Sequence, residues 1–260
     1  MRSTIASILT LAAIAASCGD GAAVPAGSEV PTSSEVPTSS EVPTTVVDDA
    51  SYTFDLSPSD FVTGIDNPLM PLTPGSRWVY EGEDNGEVER IEVVVTDETR
   101  EIMGITATVV RDTVTTDGEL VEDTFDWFAQ DTEGNVWYLG EESKEYEDGE
   151  VVSTTGSWEA GVDGALPGVI MWAHPEVGDP YRQEYYPGEA EDMAEVVRTG
   201  AAESVPQGDY DDLVVIAEWN PLDPGVTEEK YHAAGVGVVL EVVVSGGTGR
   251  VELVEYEPGS

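Results

Sequence analysis

The sequence predicts an all-β fold from about Tyr52 onward, built as a curved antiparallel meander sheet. Residues 91–96, 106–114 and 213–219 carry the β-branched, alternating or short apolar pattern that is typical of strands. Asp117-Gly118 and Asp148-Gly149 supply the positive-φ positions of tight hairpins, and Asn85-Gly86 does so earlier. Strands joined by such short turns are antiparallel neighbours. We therefore expect one meander, open or curved into a half-barrel.

Helices are not expected after the N-terminal leader. The best candidate, residues 190–197, alternates equally well as a strand. Proline and glycine are frequent from Gly156 to Pro180, which predicts one long irregular segment.

The sequence of the β-region indicates an internal duplication, with two copies of one unit. An offset of 103 residues (178 − 75) lays Gly75–Thr96 on Gly178–Thr199 without gaps and pairs Glu92-Val93-Val94 with Glu195-Val196-Val197. At the same offset Phe128 falls on Tyr231. If the halves are duplicates, each is a meander of about five or six strands, and the two join into one sheet.

Residues 1–17 form an export leader, with Arg2 at the start, an apolar run from Ile5 to Ala16 and small residues at the end. The run Ile14–Cys18 resembles the lipobox of bacterial lipoproteins, although Ala15 stands where leucine is usual. That resemblance implies removal of the leader before Cys18, acylation of Cys18 with groups such as palmitate, and anchoring in the cell membrane or envelope on its extracytoplasmic side. The alternative is an ordinary secretory signal that leaves Cys18 as a free thiol.

A disordered linker is predicted for residues 18–50. The six-residue pattern of Ser28–Ser33 recurs from Ser34 and again from Ser40, and its Ser, Thr, Pro and Glu cannot form a core. A single β-domain, residues 51–260, is expected to follow this stalk.

Charge limits the partners. The chain has 53 acidic and 10 basic residues, a net charge of -43, so it lacks the basic surface that nucleic-acid binding requires. The acid is spread along the strands, which predicts a solvated surface that keeps the protein soluble, and we expect a monomer.

The single cysteine rules out an intramolecular disulfide. No apolar run of roughly 18 residues follows the leader, so no membrane span is predicted.

Two stretches carry a second resemblance. Glu229–Val239 is similar to the closing hairpin of bacterial envelope lipoproteins that are often related to the lipoprotein-localisation factors (LolA and LolB), although His232 and Ala234 replace the usual tyrosine and proline. Gly134–Tyr138 and Tyr181–Asp192 resemble an uncharacterised exported family of that architecture. The resemblance implies a LolA-like sheet whose concave face cups an acyl chain, and it implies no reaction.

Catalytic motifs are absent from the sequence: it has no Gly-x-Ser-x-Gly, His-Glu-x-x-His, phosphate loop or dinucleotide fingerprint. We therefore predict no catalytic residue, no cofactor and no enzymatic activity. His174 and His232 could bind a transition metal if they met in space. Single histidines more often fill a hydrogen-bonding niche, so no metal site is predicted.

Five residues are candidates for ligand binding. Trp137, Trp158 and Trp172 surround the irregular segment and could line the mouth of a cup, or simply pack in the core. Tyr181 and Arg182 lie close by in sequence. Arg182 could hold a ligand carboxylate or form a cross-strand ion pair.

The sequence thus favours a lipid-anchored, non-enzymatic module that binds an apolar or amphiphilic ligand. The alternative is a structural or interaction lipoprotein that presents an acidic surface to a protein partner or to cations; a hydrolase is a more distant second alternative. An open cavity between the sheet and the long segment would favour the first function, and a filled core the second.

Overall fold

A computed structural model describes residues 52–54, 56–84, 87–178 and 180–260. Fifteen strands and one short 3₁₀ helix, Pro58–Asp60, lie within these ranges. The strands are β1 (Arg77–Asp84), β2 (Glu87–Ile102), β3 (Ile105–Thr116), β4 (Glu119–Gln130), β5 (Val136–Glu147), β6 (Glu150–Ser153), β7 (Trp158–Glu159), β8 (Leu166–Met171), β9 (Tyr181–Arg182), β10 (Glu184–Tyr185), β11 (Met193–Val205), β12 (Gly208–Asn220), β13 (Asp223–Ala233), β14 (Gly237–Ser245) and β15 (Gly249–Glu257).

The predicted leader, Cys18, the repeat linker and the Asn85-Gly86 turn lie outside the described residues. Among the residues that are described, no helix is long and apolar enough to cross a membrane.

The strands form one open antiparallel sheet, which confirms the predicted fold class. Its order is β10-β8-β5-β4-β3-β2-β1-β15-β14-β13-β12-β11-β9, with β6 and β7 paired to β5. Strands β1 to β5 and strands β11 to β15 are each neighbours in both sequence and space. The sheet is therefore two meanders that meet where β1 pairs with β15.

Local chemistry explains the hairpins. Asp117 and Gly118 both adopt positive φ, 53° and 84°, between β3 and β4, and Asp148 and Gly149 do the same, at 51° and 79°, between β5 and β6. Two successive positive φ angles match the right-handed twist of the flanking strands, which is why Asp-Gly pairs favour two-residue hairpins.

The two ends of the sheet meet at one short stretch of chain, which we call the joining segment (Tyr181–Tyr185). β9 and β10 are the outermost strands of the sheet, yet Gln183 alone separates them in sequence. β9 pairs with β11, whereas β10 pairs with β8. Because the chain bends between them, Arg182, Gln183 and Glu184 are all buried, and simple alternation of faces is not kept.

The strand bounds agree with the duplication expected from the sequence. Adding 103 to the bounds of β3 gives 208–219, where β12 lies, and adding it to those of β4 gives 222–233, where β13 lies. The same shift places β1 on residues 180–187. The second half thus has the bent joining segment where the first half has a full strand.

The segment from Gly156 to Pro180 is less irregular than its composition indicates, because β7 and β8 lie within it. Pro167 and Gly168 are part of β8 itself. Gly168 is needed for close packing, since a side chain there would clash with the carbonyl oxygen of Gln183. The glycine marks a close approach between two backbones and not a loop. Residues 190–197, the best helix candidate, form no helix, and 193–197 are the first residues of β11.

The core is apolar at its centre. Val, Ile and Leu side chains of β1, β2, β3, β12, β14 and β15 are buried, and the rings of Phe128 and Tyr138 stack with centroids 4.8 Å apart. Trp158 meets Tyr138 edge to face at 5.3 Å. Aromatic pairs in these geometries stabilise a core beyond the area they bury.

Candidate functional site

The interior also contains carboxyl groups, which the sequence pattern does not predict. Eleven acidic residues in the described part of the chain are buried: Glu89, Asp112, Glu122, Asp126, Asp131, Glu141, Glu184, Asp192, Glu218, Glu228 and Glu241. On β4 the polar set Glu122, Thr124 and Asp126 points inward, while the intervening Phe125 is only half-buried. The expectation that the acid forms a solvated surface is wrong for this subset.

A buried lysine organises one group of these acids across β12, β13 and β14. Lys230 Nζ lies 2.6 Å from Glu218 Oε2 and 3.8 Å from Glu241 Oε2. Burial acts to lower the pKa of Lys230, but Glu218, Glu241 and Glu228 more than reverse this and hold its pKa above the ordinary value. Lys230 is therefore an ammonium ion in the protein interior.

One ammonium cannot neutralise three neighbouring carboxylates. Burial, and then repulsion from Glu228, raises the pKa of Glu241 well above its usual range. Burial likewise raises the pKa of Glu228 to about 7. These two groups hold protons in the folded protein under conditions in which free carboxyl groups are ionised.

A second group lies on β3, β4 and β5. Tyr138 Oη is 2.8 Å from Asp126 Oδ1 and 3.0 Å from Glu141 Oε2. A phenol has one hydrogen, so one of these contacts requires a protonated carboxyl group as its donor. Nearby Asp112 is fully buried, and neither of its carboxyl oxygens has a hydrogen-bond partner among the described residues. Burial, followed by the proximity of Asp126, raises the pKa of Asp112 well above its usual range.

The Glu184–Asp192 pair connects the two groups. Burial, followed by the neighbouring Asp192, raises the pKa of Glu184 well above its usual range. Burial raises the pKa of Asp192 to about 7. Neither carboxyl oxygen of Asp192 has a hydrogen-bond partner among the described residues. Glu141 lies on the Glu184 side of the pair, and Glu218 on the Asp192 side.

An apolar cavity of about 30 Å³ adjoins the lysine group. Its walls come from residues 69–72 and from β1, β2, β8 and β14, and its polar end is formed by Glu218, Lys230 and His232. This volume holds roughly two water molecules.

Residues 65–72 close the cavity, and we call them the cover segment. Asn67 fixes this segment: its Nδ2 donates to the carbonyl oxygens of Gly134 (2.9 Å) and Trp172 (3.2 Å), and its Oδ1 accepts from the Leu69 amide at 2.9 Å. The side chains of Leu69, Met70 and Leu72 are buried beneath the segment. The cover segment has no strand or helix of its own, so a few hydrogen bonds hold it in place.

His232 has an unused acceptor at the cavity. Its Nδ1 lies 3.3 Å from the carbonyl oxygen of Leu69, which can only accept, so Nδ1 carries the hydrogen and Nε2 has a free lone pair. Nε2 is buried and has no hydrogen-bond partner among the described residues. Burial lowers the pKa of His232 to about 4, so the ring is neutral near pH 7.

The five predicted ligand-binding residues do not line this cavity. Trp172 and Tyr181 contact each other edge to face at 5.5 Å. Trp158 is buried and donates from Nε1 to Glu184 Oε1 at 3.2 Å, whereas Trp137 donates from Nε1 to Asp131 Oδ2 at 2.9 Å. The buried Arg182 guanidinium lies 4.8 Å from the centroid of the Tyr185 ring. Their part in ligand binding stays a prediction.

The two histidines differ in environment, since His174 is exposed and His232 is buried. No group of three His, Cys, Asp or Glu side chains in the described ranges is arranged to hold a metal ion.

The polar residues of β13 at and beside the cavity have only a weak pattern in the sequence. Glu228, Lys230 and His232 alternate along β13 and therefore share one face of the strand, which is a polar face. The lysine is one of only two in the chain. A polar strand face is predicted to face solvent unless the order of strands in the sheet is known. The sequence therefore did not predict that Lys230 and its neighbouring carboxyl groups are buried.

Comparison with known proteins gives little beyond shape. No family model and no curated protein matches the chain. A solved structure from Bacteroides fragilis, described as an exported protein with a YmcC-like fold, aligns with a TM-score of 0.43 and 12% identity, over 76% of this chain and 100% of that one. A structure described as a lipoprotein from Parabacteroides distasonis aligns with a TM-score of 0.40 and 13% identity, over 74% of this chain and 99% of that one. We base no functional argument on these likenesses.

Proposed function

We propose that this chain is an exported, lipid-anchored and non-enzymatic binding protein. Its ligand is a small amphiphile with an apolar body and a neutral or cationic end that donates a hydrogen bond, and it binds in the cavity under the cover segment. The leader and the lipobox-like run before Cys18 support export and anchoring.

The unused Nε2 acceptor of His232 carries the proposal. A buried acceptor without a partner costs roughly 1–3 kcal/mol, and a donor on a ligand would offset that cost. The walls of the cavity are apolar, with Trp78, Val93 and Val238 among them, and they suit a hydrocarbon body.

Donation to His232 Nε2 selects the end group. Glu218 lines the cavity beside Lys230, and the two form an ion pair, so neither is free to bind a charged ligand. A ligand carboxylate has no hydrogen to donate to Nε2, whereas a hydroxyl or ammonium group has one. Fatty acids are therefore disfavoured as ligands.

Entry requires movement of the cover segment, because about 30 Å³ is smaller than the hydrocarbon body of such a ligand. The segment can move without breaking the sheet, since it is attached mainly through side chains: those of Asn67, of Gln130, which bonds Asp66 and the Asn67 amide, and of His232. One further bond runs from the Gly235 amide to the Pro68 carbonyl, 2.7 Å. Leu69, Met70 and Leu72 would then cover the ligand chain.

The test is binding of 1-octanol, octylamine and octanoate to the purified full chain, by calorimetry and by thermal shift. The alcohol and the amine should bind and raise the melting temperature saturably, and octanoate should not. His232→Leu should weaken octanol binding roughly tenfold, the size of one lost hydrogen bond to a buried acceptor. His174→Leu, at the exposed histidine, is the matched control. Octanoate binding as tight as that of octanol, or an unchanged affinity in His232→Leu, would contradict the proposal.

The small volume of the cavity, about 30 Å³, and the net charge of -43 favour a second function, in which the protein presents its acidic surface to a cationic protein partner. Failure of all three amphiphiles to bind, together with salt-dependent binding of octalysine, would support this alternative.

A further inference from the structure

Backbone hydrogen bonds anchor the chain just before and just after the cover segment. Before it, the Val62 amide donates to the carbonyl oxygen of Gln130 at 2.9 Å. After it, the Gly75 amide donates to the carbonyl oxygen of Val95, also at 2.9 Å. A glycine with positive φ lies near each end, Gly64 at 82° and Gly75 at 83°. Glycine permits backbone rotation at the least steric cost, so the chain between these anchors can turn about its two ends.

Gln130, the last residue of β4, holds the start of the cover segment. Its Oε1 accepts hydrogen bonds from the amides of Asp66 and Asn67, at 2.9 and 2.8 Å, and its Nε2 donates to Asp66 Oδ1 at 2.7 Å. Gln130 is 6% exposed, so water competes little for these bonds. One side chain thus fixes two successive residues of the cover segment to the end of a strand.

The cover segment separates two spaces. The apolar cavity beside His232 lies on its inner side, and an open cleft of about 580 Å³ lies on its outer side. The lining of this outer cleft includes Val62, Ile65, Asp66, Gln130 and Asp131. Leu72 lines both spaces. A displacement of the cover segment at Leu72 would therefore connect the cavity with the outer cleft.

We propose that the cover segment is a lid, that Gln130 holds it shut, and that a ligand reaches the cavity from the outer cleft past Leu72. Burial of Leu69, Met70 and Leu72 keeps the closed state the major one. Opening breaks the Gln130 hydrogen bonds and turns the chain about its two end glycines, while the sheet stays intact. The route of entry rests on the proposed function, whereas the lid itself does not.

Hydrogen exchange of the full wild-type chain without ligand tests the lid. Two amides report its opening without bonding Gln130: that of Gly235, which donates to the Pro68 carbonyl, and that of Leu69, which donates to Asn67 Oδ1. Their protection factors should equal each other and lie at least about tenfold below those of β2 and β3, because the lid opens while the sheet stays folded. Protection as high as in β2 and β3 would show that the cover segment opens only when the whole protein unfolds, and would overturn the proposal.

Gln130→Ala tests the role of the glutamine. The protection of Gly235 and Leu69 should fall by at least about tenfold, the size of one or two lost hydrogen bonds. Gln207→Ala, at an exposed glutamine, is the matched control and should leave both protection factors within about twofold of wild type, since surface substitutions cost little. A loss of protection confined to Asp66 and Asn67, the direct partners of Gln130, would show that Gln130 does not hold the lid.

The kinetics of 1-octanol binding test the route of entry. Stopped-flow tryptophan fluorescence can follow binding, since Trp78 lines the cavity. Gln130→Ala should speed association and dissociation by the same factor, at least about tenfold, and change Kd less than about twofold. Gln130 does not line the cavity, and the closed state remains the major one, so the affinity is nearly kept.

An unchanged association rate in Gln130→Ala, or a Kd that weakens as much as dissociation speeds up, would overturn the route. If no amphiphile binds, the proposed function and the route fail together, and hydrogen exchange without ligand still decides whether the cover segment is a lid. The wild-type exchange experiment also keeps the lid falsifiable if Gln130→Ala does not fold.

Discussion

At the scale of single residues, Lys230 shows how an acidic chain stabilises charge in its interior. Its ammonium group and the Glu218 carboxylate, 3% and 5% exposed, form a direct pair at 2.6 Å, and Gln183 satisfies the other oxygen of Glu218. Removal of one partner from such a pair leaves an uncompensated buried charge.

Lys230→Met should therefore lower the free energy of unfolding by roughly 3–5 kcal/mol, measured by urea denaturation at pH 7. Lys144→Met is the matched control, because Lys144 is the other lysine and pairs with Glu142 on the surface, where ion pairs contribute at most about 1 kcal/mol. Similar losses in the two variants would show that Lys230 does not compensate buried charge.

A second prediction at the scale of single residues is that Cys18 carries the lipid anchor, and it is drawn from the leader sequence alone. In its own host, Cys18→Ser should be released into the medium or remain unprocessed, because acylation and cleavage both require the thiol in a lipobox. Membrane fractionation and the mass of the N-terminal peptide check this. Unchanged membrane retention with an unchanged peptide mass would show that Cys18 carries no lipid.

At the scale of elements, glycine positions decide where strands can approach. Gly140 of β5 has φ 128°, and a side chain there would clash with the carbonyl oxygen of Trp158 and lie 2.9 Å from the Glu159 Cα. β7 can pair with β5 only because this position has no side chain.

Gly140→Ala should therefore displace β7 and lower the free energy of unfolding by more than about 2 kcal/mol, measured by urea denaturation. Gly118→Ala is the control, since Gly118 also has positive φ, 84°, but has open space around it, so its cost is the backbone strain alone, about 1 kcal/mol. Equal costs would mean that the packing of β7 contributes nothing.

Elements with local signals were predictable, and elements defined by distant contacts were not. The strands around 91–96, 106–114 and 213–219 and the Asp-Gly hairpins follow from alternation and turn chemistry within a few residues. The joining segment could not be predicted, because its bend at Gln183 depends on β8 and β11 together.

The buried carboxyl groups of β4 were not predicted for a related reason. Alternation separates Glu122 and Asp126 from Phe125 but does not say which face is inward.

At the scale of the whole molecule, the net charge of -43 disfavours the compact state through repulsion between carboxylates. Salt screens exposed charges beyond about 10 Å at 0.1 M ionic strength. The melting temperature of the full chain should therefore rise as the sodium chloride concentration is raised.

At constant ionic strength, millimolar magnesium and calcium should change the melting temperature by the same amount. A large, saturable rise in melting temperature with calcium alone would reveal a specific calcium site.

The buried carboxyls make a further whole-molecule prediction, that the protein is more stable in mild acid than at alkaline pH. Asp192 and Glu228 have a pKa of about 7, and burial raises the pKa of Glu184, Glu241 and Asp112 well above its usual range. These five carboxyl groups hold protons in mild acid when folded, but have ordinary pKa values near 4 when unfolded. Their contribution to stability is fully present below pH 4 and is lost as pH rises through 7 and beyond.

Two groups act in the opposite direction and set the acid limit. His232, with a pKa of about 4, is neutral when folded and ordinarily titrates near 6.5, so its contribution is lost as pH falls from 6.5 to 4. Burial acts to raise the pKa of Glu229, but its hydrogen bonds with Arg198 hold it below the ordinary value, so that contribution is lost only below about pH 4.

One histidine opposes five carboxyls, so stability should be greatest at or below about pH 4 and should fall as pH rises from there. Each carboxyl should change the free energy of unfolding by roughly 1.4 kcal/mol per pH unit within its range. The melting temperature should then fall by at least about 5 °C from pH 5 to pH 8 at fixed ionic strength, since about 1 kcal/mol shifts it by 2–4 °C in a chain of this size. Glu228→Gln should reduce that fall because Gln cannot ionise, whereas Glu189→Gln, at the surface, should leave it nearly unchanged. A melting temperature that is flat or rising between pH 5 and pH 8 would show that these interior carboxyl groups are ionised in the folded protein.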